Sequence, residues 1–213
     1  MGLFITFEGC EGCGKSTQIG KLHQHLIQVG VPVVLTREPG GTELGNHLRD
    51  VVKSRRVDDI LPLAELFLFL ASRSQLVKEV IRSGIEHGVV LCDRYTHSSV
   101  VYQGYGRGLD LPTVEMLSDI ATDGLLPDLV ILLDAPPEVG LARNGSTPDD
   151  RFETAGIDFH QRVRQGYLKI AQNDPARWMV IDALLPEQSI EAIIWERVKL
   201  LVKEASDTLS AME

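Results

Sequence analysis

The chain has 213 residues, 44% hydrophobic and 24% charged, a balance that suits a folded globular protein and a length that suits one domain with a full core. The formal net charge of -9 argues against nucleic-acid binding through a broad basic surface. No apolar run approaches the ~18 residues of a membrane span, no secretory signal opens the chain, and Cys10, Cys13 and Cys92 do not read as a disulfide framework, so a cytoplasmic protein with no membrane partner is expected.

The first apolar run, residues 3–7, reads as a strand entering the core. The opening Met1 to Thr6 also fits the short N-myristoylation pattern, but a buried strand leaves no free arm for a lipid. Helix periodicity follows over 15–29, with Ile19, Leu22, Leu26 and Val29 on one face. Further strands are predicted at 32–36, 89–92, 129–134 and 178–181, and their near-continuous apolar character suits a parallel sheet covered on both faces. Residues 63–86 are apolar on several sides and predict a long helix buried between other elements. Helices are also expected over 112–122, 157–172 and 187–203, and the polar stretch with Gly and Pro near 142–152 reads as a mobile lid. The pattern predicts a three-layer α/β/α sandwich on a five-stranded parallel sheet, as one domain over 1–213.

Gly9-Cys10-Glu11-Gly12-Cys13-Gly14-Lys15-Ser16 matches G-x-x-x-x-G-K-[ST] between the first strand and the first helix, the context in which such a loop cradles phosphates. Backbone N–H groups and the helix N-terminus bind the anion, Lys15 reaches the β- and γ-phosphates, and the Ser16 hydroxyl ligates Mg2+. A nucleotide carrying β- and γ-phosphates, with Mg2+, is the implied ligand, and Thr17 follows the motif into the helix. Cys10 and Cys13 also form C-x-x-C, but both lie inside the loop, and His23 and His25 point to different helix faces, so no structural metal is expected.

A phosphate loop alone does not separate switch GTPases, motor ATPases and small-molecule kinases. No Asn-Lys-x-Asp segment for reading guanine is present, and two apolar strands end in Asp93 and Asp134, either of which suits the metal. Arg94 follows Asp93, placing a guanidinium beside a carboxylate at a strand's carboxyl end, where open α/β sheets bind ligands.

These residues resemble the thymidylate kinases of the nucleoside monophosphate kinase group. The phosphate loop, Thr36-Arg37-Glu38-Pro39-Gly40-Gly41-Thr42, Asp93-Arg94-Tyr95 and Tyr102-Gln103-Gly104 stand in that family's order and spacing. The resemblance implies ATP-dependent phosphorylation of dTMP to dTDP by a homodimer. It implies that Arg49 and Arg94 grip the dTMP phosphate and that Glu38 orders the acceptor end. Phe69 stacks on thymine and Arg73, one turn on, reaches a ring carbonyl. Ser99 and Gln103 complete base recognition, and Tyr102 disfavours a 2′-hydroxyl. Lys15, Asp93, Arg94 and Arg151 are the implied catalytic set, with Ser16 and Asp93 serving Mg2+ directly or through water. A different P-loop kinase, for deoxynucleosides or another monophosphate, and a nucleotide-dependent switch are the alternative readings.

One departure stands out. Family members with Gly at the position of Gly12 usually carry several lid arginines, whereas here only Arg143 and Arg151 flank an uncharged or acidic stretch. The reading that follows puts Arg143 flat against adenine and Arg151 over the transferring phosphoryl group.

Overall fold

Five apolar runs become five parallel strands, each within one residue of its predicted bounds: β1 (Leu3–Glu8), β2 (Val33–Arg37), β3 (Val89–Asp93), β4 (Leu129–Asp134) and β5 (Trp178–Asp182). They form one sheet in the order β2-β3-β1-β4-β5. The structure is a computed structural model, and it describes residues 2–54, 60–144, 151, 152 and 154–210.

The helices are α1 (Lys15–Gln28), α2 (Glu43–Lys53), α3 (Pro62–Leu76), α4 (Arg82–His87), α5 (Thr96–Ser99), α6 (Leu111–Thr122), α7 (Pro137–Asn144), α8 (Ile157–Asn173) and α9 (Glu187–Ser210). A π-helical stretch, Val77–Ile81, joins α3 to α4, so the predicted long helix is one run with a widened turn inside it; a second, Val100–Gly106, continues α5. Sequence periodicity did not reveal α2, α5 with its π-helical continuation, or α7.

Parallel register puts side chains of like parity on one face, since Leu3 pairs with Val89 and Ile5 with Leu129. Leu3, Ile5 and Phe7 therefore join Leu91 and Ile131 beneath Ile19 and Leu22 of α1 and Ile190 and Ile194 of α9. On the other face Phe4 and Val90 pack on Leu76, Val77 and Ile81, while Val130 and Leu132 meet Val163, Tyr167 and Ala171 of α8. The result is the expected three layers. Burial on both faces holds for β1, β3 and β4; the edge strands are half-covered, with Leu35 43% and Val180 49% exposed.

β1 leads into α1 on one face, whereas its neighbour β3 leads into α5 and the π-helical stretch, whose Val101 and Tyr102 join the cluster on the other face. That divergence opens a crevice at the carboxyl ends of the two strands. Phe7 pairs with Asp93, and the Arg94 amide donates to the Phe7 carbonyl at 2.9 Å, so the phosphate loop and the Asp93-Arg94 pair leave the sheet side by side. Of the predicted lid, residues 145–150 lie outside the described ones, as do Asp149, Asp150 and Glu153 near Arg151.

Candidate active site

A cavity of ≈ 870 Å³ occupies this crevice, running from Lys15 and Ser16 past Arg94 to Phe69 and Arg49. At the loop end, Gly14 enters α1 with φ 92, and the first turn of α1 has neither a side-chain cap nor an acidic residue, so its N–H groups and dipole favour an anion. Gly12 has φ 67, and a β-carbon there would collide with the Gly140 carbonyl of α7. Close packing of α7 thus explains why position 12 carries no cation.

Lys15 is curled onto its own loop: Nζ donates to the Gly9 carbonyl at 3.1 Å and the Cys10 carbonyl at 2.9 Å. The two cysteines of the loop are free and buried on opposite sides of the sheet, Cys13 with the α1 cluster and Cys10 with the α8 cluster. Burial pushes the Cys10 thiol up to about 12, which makes it an inert packing residue.

The structure separates the two candidate metal aspartates. Asp134 is engaged by Arg164 through two bonds of 2.8 Å. Asp93 lies in the cavity wall, accepts from the Ser16 hydroxyl at 3.4 Å, and keeps a buried Oδ1 with no hydrogen-bond partner among the described residues. A hydroxyl and a carboxylate with a spare oxygen suit a hydrated Mg2+, which takes few protein ligands beside phosphate.

Arg94 adopts φ 71, left-handed backbone that costs a non-glycine residue about 1–3 kcal/mol and clusters at functional positions. Its guanidinium bridges the two halves of the cavity. Nη2 meets the Glu11 carboxylate at 2.7 Å, and Nη1 donates to the Gly9 carbonyl at 3.0 Å and to the Tyr167 hydroxyl at 3.3 Å. Burial alone would raise the Glu11 carboxyl, but Arg94, Lys15 and Lys53 outweigh it and hold it at about 2. Behind Arg94, buried Glu8 accepts from Ser98 at 2.6 Å, Tyr167 at 2.7 Å and the Tyr95 amide at 2.9 Å.

At the far end, Phe69 of α3 lines the cavity and meets Phe152 edge to face at 5.9 Å between ring centroids. Ser99 and, about one helical turn on, the neighbours Tyr102 and Gln103 line it too. The Tyr102 hydroxyl donates to Glu11 at 3.1 Å, and the Ser99 hydroxyl is buried without a partner among the described residues. Arg49 projects from α2 and donates to the Pro39 carbonyl at 2.9 Å.

Arg73 stands back from this wall, 1% exposed. It contacts the Glu38 carboxylate at 2.8 Å and 2.7 Å and donates to the Tyr95 carbonyl at 3.1 Å. Burial pushes the Glu38 carboxyl up to about 7 against the pull of Arg73. Arg73 Nη1 and Glu38 Oε1 are both buried with no partner among the described residues, an arrangement a polar ligand would complete.

Arg143, near the end of α7, is exposed, lines the cavity and donates to the Ala183 carbonyl at 3.2 Å. Arg151 is not at the phosphate loop in this conformation: its Nη2 contacts Glu65 at 2.7 Å and its backbone amide donates to the Lys53 carbonyl at 3.1 Å. Phe152, Lys53, Glu65 and Glu8 were missed from sequence. Glu65 had a visible signal, since Glu65, Phe69 and Arg73 recur every fourth residue on one face of α3.

A family model described as thymidylate kinase matches residues 7–194. The thymidylate kinase of Dehalococcoides mccartyi is 49% identical over 204 residues, 95% of this chain and 99% of that relative. That of Deinococcus radiodurans is 51% identical over 201 residues, 92% of this chain and 96% of the relative. The crystal structure of thymidylate kinase from Ehrlichia chaffeensis superposes with a TM-score of 0.75 at 32% identity, covering 93% of this chain and 98% of that one.

Proposed function

We propose that this chain, which belongs to the thymidylate kinase family, transfers the γ-phosphoryl group of ATP to dTMP, giving dTDP, with ATP on the phosphate loop and dTMP at the Phe69 end of one cavity. The observation that carries this division is the continuity of that cavity, with Arg94 between its two ends. The acceptor needs no general base, because a phosphomonoester with a second pKa of about 6 is already mostly dianionic at neutral pH. Catalysis then rests on alignment and on neutralising the charge that spreads over the moving phosphoryl group.

Lys15 exchanges the Gly9 and Cys10 carbonyls for the donor phosphates. Arg94 and Arg49 hold the acceptor phosphate through forked guanidinium bonds. Ser16 and Asp93 are the residues that would hold Mg2+, which when bound neutralises phosphate charge. Arg143, fixed by Ala183, offers a planar face to adenine. Phe69 stacks on the base, the Glu38–Arg73 pair supplies polar contact behind it, Ser99 and Gln103 read its edge, and Tyr102 crowds the sugar. Residues 142–152 act as the lid.

Coupled measurement of ADP release with dTMP, dUMP, CMP, AMP and thymidine as acceptors tests this reading. Highest kcat/KM with dTMP is expected, and Lys15→Ala lowers kcat at least ~100-fold while the protein stays folded. Preference for AMP or thymidine, or ADP release indifferent to acceptor, contradicts it.

A homodimer of the cytoplasm completes the proposal. No described helix is long and apolar enough to cross a membrane, and all three cysteines are free thiols, as a reducing compartment keeps them. Helices α3 and α6 pack on one another yet leave Leu63, Phe67, Met116 and Ile120 exposed by 46%, 51%, 56% and 68%, an apolar surface of the kind a second copy covers. Light scattering at micromolar concentration is expected to give twice the chain mass, and Phe67→Glu to give the monomer mass; a wild-type monomer contradicts the dimer.

A further inference from the structure

Glu65 lies in the first turn of α3, where an acidic residue normally faces water and complements the helix dipole, yet it is 0% exposed. Its two oxygens collect three side chains. Oε1 accepts from Gln103 Nε2 at 2.8 Å and Arg107 Nε at 3.3 Å, and Oε2 from Arg107 Nη2 at 3.2 Å and Arg151 Nη2 at 2.7 Å. A buried carboxylate held at both oxygens by the Arg107 fork cannot turn, with Arg151 on it or not, and without a proton it only accepts. It therefore selects which end of the Gln103 amide faces it. The nitrogen turns to Glu65, and the carbonyl oxygen remains for whatever occupies the cavity that Gln103 lines.

We infer that Glu65 is a positioning residue that fixes the polarity of Gln103 and so makes the acceptor site select pyrimidines bearing an N3–H, thymine or uracil, over cytosine. The inference rests on the reading that a nucleobase lies against Phe69 and Gln103. Thymine and uracil present a donor at N3, which a carbonyl oxygen accepts; cytosine presents an acceptor there, which repels it. Phe69 follows Glu65 by one helical turn, so a single rigid helix carries both the stacking ring and the group that orients the amide.

The test is the ratio of kcat/KM for dTMP to kcat/KM for dCMP, with the thermal midpoint and the KM for ATP measured on the same full-length preparations. Glu65→Gln keeps the shape but offers both a donor and an acceptor, so Gln103 is free to turn. The ratio is expected to fall at least ~10-fold, with the KM for ATP unchanged. Both acceptors meet the same enzyme, so a merely structural loss cancels from the ratio. An unchanged ratio beside a lowered midpoint confines Glu65 to holding Arg107 and Arg151 and overturns the inference. Should Glu65→Gln fail to fold, Glu65→Asp keeps the charge both arginines need while drawing the oxygens back from Gln103 by one methylene; the same fall is expected, and an unchanged ratio overturns the inference equally. A wild-type enzyme that does not use dTMP overturns instead the functional reading beneath it.

Discussion

Replacing Arg94 by alanine is expected to lower kcat by ~10³ and to raise the KM for dTMP, with a smaller change in the KM for ATP. The guanidinium meets Glu11 and the Gly9 carbonyl of the phosphate loop while facing the same cavity as Phe69 and Arg49. On the proposed division of the cavity it meets the phosphoryl group during transfer, and charge stabilisation there counts in the transition state more than in the ground state. Lysine at 94 keeps the charge but loses the fork that holds Glu11 and phosphate together, so it is expected to recover only part of the loss. Neither substitution relieves the backbone at φ 71, so the step from alanine to lysine reads the charge and the step from lysine to wild type reads the guanidinium fork. Steady-state kinetics with each substrate varied in turn checks this; a kcat within a few-fold of wild type, with only the dTMP KM raised, would restrict Arg94 to acceptor binding.

The sheet was legible because β1, β3 and β4 are buried on both faces and need apolar residues at every position. The loop between β1 and α1 was legible because it takes left-handed backbone, φ 67 at Gly12 and φ 92 at Gly14, which glycine adopts most readily. Helix α2 was not: it buries just Gly45 and Val52, so almost no apolar stripe marks it, and its clearest sign is the cap in which Thr42 accepts from the Gly45 amide at 3.0 Å. The π-helical stretch Val100–Gly106 was missed for a different reason. Its widened turn spoils the 3.6-residue period, and it buries Tyr102, Gln103 and Gly104 in succession.

Least legible were the buried polar contacts. Glu38 and Arg73 lie 35 residues apart, Glu8 and Tyr167 159 apart, and Glu65 and Arg151 86 apart. A charged residue in a helical pattern reads as solvent-facing until its partner is known, and nothing local in the sequence names that partner. The Glu38–Arg73 pair also shows why Arg73→Ala is a poor probe of base recognition: it would strip the buried Glu38 carboxyl of its cation and drive it further toward the protonated form, a change that reaches beyond the base.

Arg151 sets the sequence reading against the observed conformation most sharply, and both Arg151→Ala and Arg151→Lys are expected to lower kcat by ~10³ with little change in either KM. Phosphoryl transfer spreads charge toward the leaving ADP, Gly12 supplies no cation there, and Arg143, which donates to the Ala183 carbonyl, is the residue proposed for adenine. Arg151 instead rests on Glu65, and two features make that contact exchangeable. Its Nη1 is buried without a partner among the described residues, so the guanidinium is incompletely satisfied where it lies. Glu65 keeps Gln103 and both contacts from Arg107 if Arg151 departs, so the carboxylate is never left without compensation. An Arg151 that stayed on Glu65 through the reaction would give a different signature: a lowered thermal midpoint in Arg151→Ala, with kcat unchanged, would leave the charge of transfer to Lys15, Arg94 and the metal.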